Sequence, residues 1–202
     1  MSIDPWRPVA DLEAKLSEIT GAPFVVCVNS CTAALQLALE GEHEEHEISI
    51  PRHTYVSVPM AIIHSGRRPI FRDETWSTRY HLAPLPIWDC AREFRRGMYV
   101  PGRIQCISFS SAKVLGVEQG GAILHSDKNA QEWYQRMRYD GRLPGCDISD
   151  DCITLVGHHC PMLPSVASAI LMRLCHMFAG DCDPPQLPPH TYPDISQFPA
   201  FK

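Results

Sequence analysis

Short apolar runs closed by turn residues alternate with stretches of helical periodicity over the first 126 residues, and this alternation most limits what the chain can fold into. FVVCV at 24–28, ISI at 48–50, PIFRD at 69–73, LPIWD at 85–89, IQCIS at 104–108 and GAILHS at 121–126 read as buried strands. Residues 8–20 place Val9, Leu12, Leu16 and Ile19 at helical spacing, and Gly21 follows as a stop. Further helices are expected near 32–40, 56–65, 128–138 and 164–178. The pattern predicts an α/β protein with a largely parallel sheet, whose ligands gather at the carboxyl ends of the strands.

With 202 residues, 45% of them apolar and 20% charged, the chain has the makeup of one globular domain. A formal charge of −5 excludes a bulk basic field for nonspecific nucleic-acid binding, although a local basic groove stays open. No apolar run approaches the roughly 18 residues of a membrane span, and Met1–Trp6 shows no signal-peptide pattern, so a cytoplasmic protein is expected. The nine cysteines are odd in number and scattered from Cys27 to Cys182, which favours buried reduced thiols over a disulfide framework. There is no C-x-x-C pair, and the nearest cluster, Cys152 with His158, His159 and Cys160, is a poor zinc set; no metal is expected. Residues 183–199 hold six prolines, which predicts an extended C-terminal tail over 181–202 behind an α/β domain at 1–180. No internal repeat is evident.

Four points at strand ends invite chemistry. Asn29-Ser30-Cys31-Thr32-Ala33 joins a strand to the helix TAALQLALEG, so that free backbone N–H groups point at whatever sits there; a phosphate suits that field, and a plain N-cap is the structural alternative. Asp89 closes a strand that should be buried, where a carboxylate either caps a turn or holds a cation. Lys113 lies between two apolar strands in a chain with four lysines against fourteen arginines. Tyr55, in His53-Thr54-Tyr55, stands at a strand-to-helix junction, where a tyrosine is commonly core or rim.

In this order the pieces resemble the DegT-type sugar aminotransferases, pyridoxal-phosphate (PLP) enzymes of the aspartate-aminotransferase fold type I. The residues that carry the resemblance are Ser30-Cys31-Thr32-Ala33-Ala34-Leu35, Pro51 through Tyr55, Asp89-Cys90-Ala91, Ser108-Phe109 through Lys113, and Glu118-Gln119-Gly120-Gly121-Ala122-Ile123, within roughly 10–170. The resemblance implies a three-layer large domain with a mostly parallel sheet, and PLP held by Lys113 as a Schiff base. It further implies that Asp89 keeps the pyridine nitrogen protonated, that Cys31, Thr32 and Ser108 cradle the phosphate, and that Tyr55 stacks on the ring. Family members are usually nearly twice this length. Against that length, the resemblance implies that the small C-terminal domain is missing or minimal, as is a βαβ unit expected between Asp73 and Ile87.

Arg92 stands where the family usually has His or Gln near the cofactor hydroxyl, and so is read as a cofactor contact, a grip on a substrate anion, or a surface salt bridge. Gly157 through Met162 looks like an altered G-Y-N-x-R-M, which puts His159 where the family's Asn reaches the phosphate of a neighbouring subunit. The resemblance thus implies a homodimer with shared active sites. Three functions are carried: a DegT-type aminotransferase using a small-molecule amino donor, a PLP-dependent decarboxylase of an amino acid attached to a larger substrate such as a modified thymine nucleotide in phage DNA (then working in a host cytoplasm), and a non-catalytic regulator on the same fold.

Overall fold

The computed structural model describes residues 4–43, 46–180 and 182–202. Met1–Ile3, where the reading of the chain's start begins, and Asp181, the expected tail boundary, lie outside the described residues.

Helix α1 (Arg7–Thr20) starts with Pro8 in its first turn and stops at Gly21, whose φ of 80° lets its N–H return to the Ser17 carbonyl. Strand β1 (Phe24–Val28) runs into α2 (Cys31–Gly41), and β2 (Glu47–Pro51) into α3 (Ser57–His64). Strands β3 (Arg68–Arg72), β4 (Tyr80–His81), β5 (Ile87–Asp89), β6 (Ile104–Ser108) and β7 (Gly121–His125) follow, then α4 (Lys128–Met137) and α5 (Pro164–Met177). Five strands form one sheet in the order β1-β7-β6-β5-β4, and β2 and β3 pair separately in parallel.

The α/β architecture of the expectation is present, and its sheet is mixed rather than mostly parallel. Only β5 and β6 pair in parallel within the five strands, whereas β1–β7, β6–β7 and β4–β5 are antiparallel. The reason lies in the connections: β6 returns to β7 through a loop and β4 to β5 through a short turn, and neither provides the crossover helix that a parallel pair needs. Strands β1, β5 and β6 nevertheless run the same way, so their carboxyl ends share one edge.

Three layers follow from the alternation along each strand. Val26, Val28, Cys106 and Ile123 face a core shared with α2 and α3, while Val25, Cys27, Ile107, Ala122 and Leu124 face a second core with Val9, Leu12 and Leu16 of α1 and Ala167, Ile170 and Leu174 of α5. A sheet covered on both faces requires the near-continuous apolar runs seen in the sequence. Strand β4, which periodicity missed, is only two residues long, and the LPIWD run enters its strand at Ile87. All nine cysteines are free; Cys27, Cys90, Cys106 and Cys160 are buried as expected, but Cys152, Cys175 and Cys182 are exposed because they sit on loops or on an outer helix face. No helix among the described residues is long and apolar enough to cross a membrane.

The C-terminal segment is extended, with two short 3₁₀ turns at Ile195–Gln197 and Pro199–Phe201. It is docked along its length. Ile195 is buried and donates its N–H to the Arg52 carbonyl at 3.0 Å, His53 Nδ1 lies 3.1 Å from the Tyr192 carbonyl, and Phe201 sits 6.0 Å from Phe71 of β3.

Candidate active site

A cavity of about 410 Å³ opens where the carboxyl ends of β1, β5 and β6 meet, and its walls include Cys31, Thr32, Tyr55, Asp89, Arg92, Ser108 and Lys113. Of the eight site residues expected from sequence, only His159 stands outside it.

The turn between β1 and α2 is a capped helix start at the cavity wall. Ser30 is the N-cap: its Oγ accepts from the Ala33 N–H at 3.1 Å and its carbonyl from the Ala34 N–H at 3.0 Å. The Cys31 and Thr32 amides, in the first turn, have no intrahelical acceptor, and both residues line the cavity. The Thr32 hydroxyl donates to Ser57 Oγ at 2.8 Å, which ties this turn to α3. Gly121, at the start of β7, permits the close approach. A Cβ there would stand 2.5 Å from the Cys31 nitrogen and from the Ser30 carbonyl carbon, so any side chain would push the turn out of place.

Asp89 ends β5 almost fully buried. Its Oδ1 accepts from the Ala91 N–H at 2.8 Å and its Oδ2 from the Tyr80 hydroxyl at 2.7 Å, while the Tyr80 hydroxyl lies 2.6 Å from Thr54 Oγ1. Burial pushes the Asp89 carboxyl above the usual carboxylate range, and the Ala91 amide, the Tyr80 hydroxyl and the Lys113 charge pull it back in part. Burial pushes the Tyr80 phenol up as well, with the Asp89 charge adding to it, so this phenol stays a neutral donor. Both groups that hydrogen-bond Asp89 are therefore neutral, and a cationic ring nitrogen facing the cavity would be a fitting third partner.

Lys113 is carried by the loop between β6 and β7. The loop is closed by hydrogen bonds from Phe109 N–H to Gly120 carbonyl at 2.9 Å and from Val117 N–H to Phe109 carbonyl at 3.0 Å, with Phe109 and Leu115 fully buried beneath it. Gly116 turns the chain with a φ of 54°. The Lys113 ammonium donates to the Tyr192 hydroxyl at 3.1 Å. Ser108 Oγ lies 3.5 Å from Ser110 Oγ, and both residues line the cavity.

Tyr55 is half exposed on the rim, its ring 6.2 Å from that of Tyr192. Arg92 is not the surface salt bridge that stood among its alternatives: it is buried, and its Nε donates to the Ser77 carbonyl at 3.3 Å and its Nη2 to the Pro188 carbonyl. His159 is exposed, with Nδ1 2.8 Å from Asp140 Oδ2, in a separate groove behind the same turn that also holds Asn29, Ser30 and Thr32.

Sequence reasoning missed Tyr80, Trp76 and Tyr192 as parts of the site. Trp76 stacks on His190 at 4.2 Å, and its indole N–H donates to the His53 carbonyl at 2.8 Å. None of these three lies in an apolar run or a strand-to-helix turn, so no local signal marked them.

Residues 5–84 match the model of the DegT/DnrJ/EryC1/StrS aminotransferase family. The spore coat polysaccharide biosynthesis protein SpsC of Bacillus subtilis is 40% identical over 67 residues, which are 32% of this chain and 17% of that protein. Among solved structures, a DegT DnrJ EryC1 StrS aminotransferase from Brucella abortus superimposes with a TM-score of 0.68 at 20% identity, over 83% of this chain and 58% of that one. NtdA from Bacillus subtilis, solved with bound cofactor PMP, gives 0.69 at 17% identity over 83% of this chain and 47% of the other. The fold is that of these aminotransferases, and the chain spans less than two thirds of the length of each.

Proposed function

From its relationship to the DegT/DnrJ/EryC1/StrS aminotransferase family over residues 5–84, we propose that the chain is a PLP-dependent enzyme acting at the Cα-amino group of its substrate, as a DegT-type aminotransferase. The observation that carries this reading is the convergence of a helix N-terminus, a buried carboxylate and a lysine on one cavity. The residues fit the cofactor: Cys31 and Thr32 line the cavity at a capped helix N-terminus, whose turn packs directly on the side-chain-free Gly121, and Asp89 presents a carboxylate held by neutral donors.

When bound, PLP supplies an electron sink for the substrate Cα. Lys113 would hold it covalently and then move a proton at Cα, a task suited to a lysine on a flexible stem partly withdrawn from water. Asp89 would hold the proton on the pyridine nitrogen, with the Tyr80 hydroxyl and the Ala91 amide fixing the carboxylate. Cys31, Thr32 and Ser108 would bind the phosphate, and Tyr55 would cover a ring face. Arg92 would support the wall near Ser77. His159, separated from the cavity by the turn itself, would serve a phosphate only across a homodimer interface. A small-molecule amino donor is the first substrate, and a keto compound such as a nucleotide-linked keto sugar is the acceptor class. Arg92 also reads as a grip on a substrate anion, and its bonds to two backbone carbonyls lend that role no support.

The test is chemical. Protein loaded with PLP and reduced with borohydride should carry the label on the Lys113 peptide, and Lys113→Ala should abolish it. Glutamate or glutamine alone should leave the donor nitrogen on the cofactor released by acid. A label on Lys15 or Lys128, or loss of carbon dioxide with no nitrogen transferred, would overturn the proposal.

A further inference from the structure

The C-terminal segment brings a tyrosine to the one lysine of the cavity. Tyr192 and Lys113 are 79 residues apart in sequence, and the hydroxyl and the amine are 3.1 Å apart in the structure. The contact is braced from several sides. The Tyr192 ring stacks with His190 at 5.1 Å and with Trp76 at 6.1 Å, its carbonyl meets His53, and the turn that follows is pinned by buried Ile195 and by the Asp194 carboxylate, which accepts from the Ser196 N–H at 3.1 Å. Upstream, Arg92 grips the Pro188 carbonyl. A phenol held at this many points has little freedom, whereas a lysine stem has four rotatable bonds; the rigid partner therefore sets where the flexible one rests.

We infer that Tyr192 is a positioning residue of the site: its hydroxyl orients the Lys113 amine, and the docked segment around it is a working wall of the cavity. The inference rests on the reading of Lys113 as the reactive amine, but its test does not need the cofactor. Protein stripped of PLP is trace-labelled with acetic anhydride, and the acetylation of Lys113 is compared by peptide mass spectrometry with that of Lys15 and Lys128 on the outer helices. In Tyr192→Phe the ring stack survives and the thermal midpoint should hold, while the Lys113 to Lys15 ratio should rise about fivefold, the scale of one lost hydrogen bond. Tyr192→Ala should raise it at least as far. In PLP-loaded Tyr192→Phe, the pH at which the visible band changes should also move. An unchanged ratio in both variants overturns the inference, and so does a rise shared by all three lysines, which would report only a loosened fold. Failure of the parent protein to take up PLP would sink the proposed function and leave the labelling result standing.

Discussion

At one end of the cavity the contributing groups are neighbours in sequence, Ser30 capping the helix whose first turn holds Cys31 and Thr32, and this turn packs on Gly121 of β7. At the other, Asp89 meets Tyr80 and Ala91, Tyr80 meets Thr54, and Lys113 meets Tyr192. The first end is a local motif set on a strand-to-helix junction, and its stability comes largely from capping and helix geometry. The second is assembled across the β2–α3 junction, β4, β5, the β6–β7 loop and the C-terminal segment. Its polar groups are buried, and so each depends on partners that arrive from elsewhere in the chain.

The sharpest way to break the long-range end while sparing the local one is Asp89→Asn. The Ala91 amide can still be accepted, but no anion remains to hold a ring proton, and turnover should fall by about two orders of magnitude or more. Stability should move the other way. The folded carboxyl is raised by burial, so it contributes stability in full below the ordinary carboxylate range and loses that contribution as pH rises through the raised value. Cofactor-free Asp89→Asn should therefore melt above the parent at neutral pH, with the difference shrinking as pH falls through the raised value and no longer changing below about pH 4. A parent that outlasts the variant at neutral pH would show that the carboxylate is compensated by more than its neutral donors.

At the local end, Gly121→Ala places a Cβ against the Cys31 nitrogen and should cost about 1–3 kcal/mol in urea unfolding. PLP retention should fall as well, because the turn that moves is the one proposed to bind phosphate. Full retention with lowered stability would separate phosphate binding from this turn. The smallest effect belongs to Ser30→Ala, which removes the cap on the Ala33 amide and should cost about 1 kcal/mol with the cavity otherwise intact.

These two ends were unequally legible before the structure. The strand ends that carry Asp89 and Ser108, and the junctions that carry Cys31, Thr32 and Tyr55, follow from runs such as IQCIS and FVVCV, whose order and content announce strands buried on both faces. Tyr80 was hidden because its strand is two residues long, too short to show a period of two. The segment 181–202 reads as an extended tail because proline-rich sequence has no internal hydrogen-bonding pattern to detect. Its docking depends on Ile195, Tyr192 and Phe201 finding partners far away in the chain.

Local sequence thus determined the elements, the two apolar faces of each strand and the capped strand-to-helix turn, since periodicity and capping act over a few residues. Tertiary structure alone decided that β1, β5 and β6 end at one cavity, that Tyr80, itself bonded to Thr54, holds Asp89, that Arg92 turns to backbone carbonyls, and that Tyr192 reaches Lys113. Those contacts join residues up to 96 positions apart, and only the packing of the whole chain determines which of many possible long-range partners a buried polar group meets.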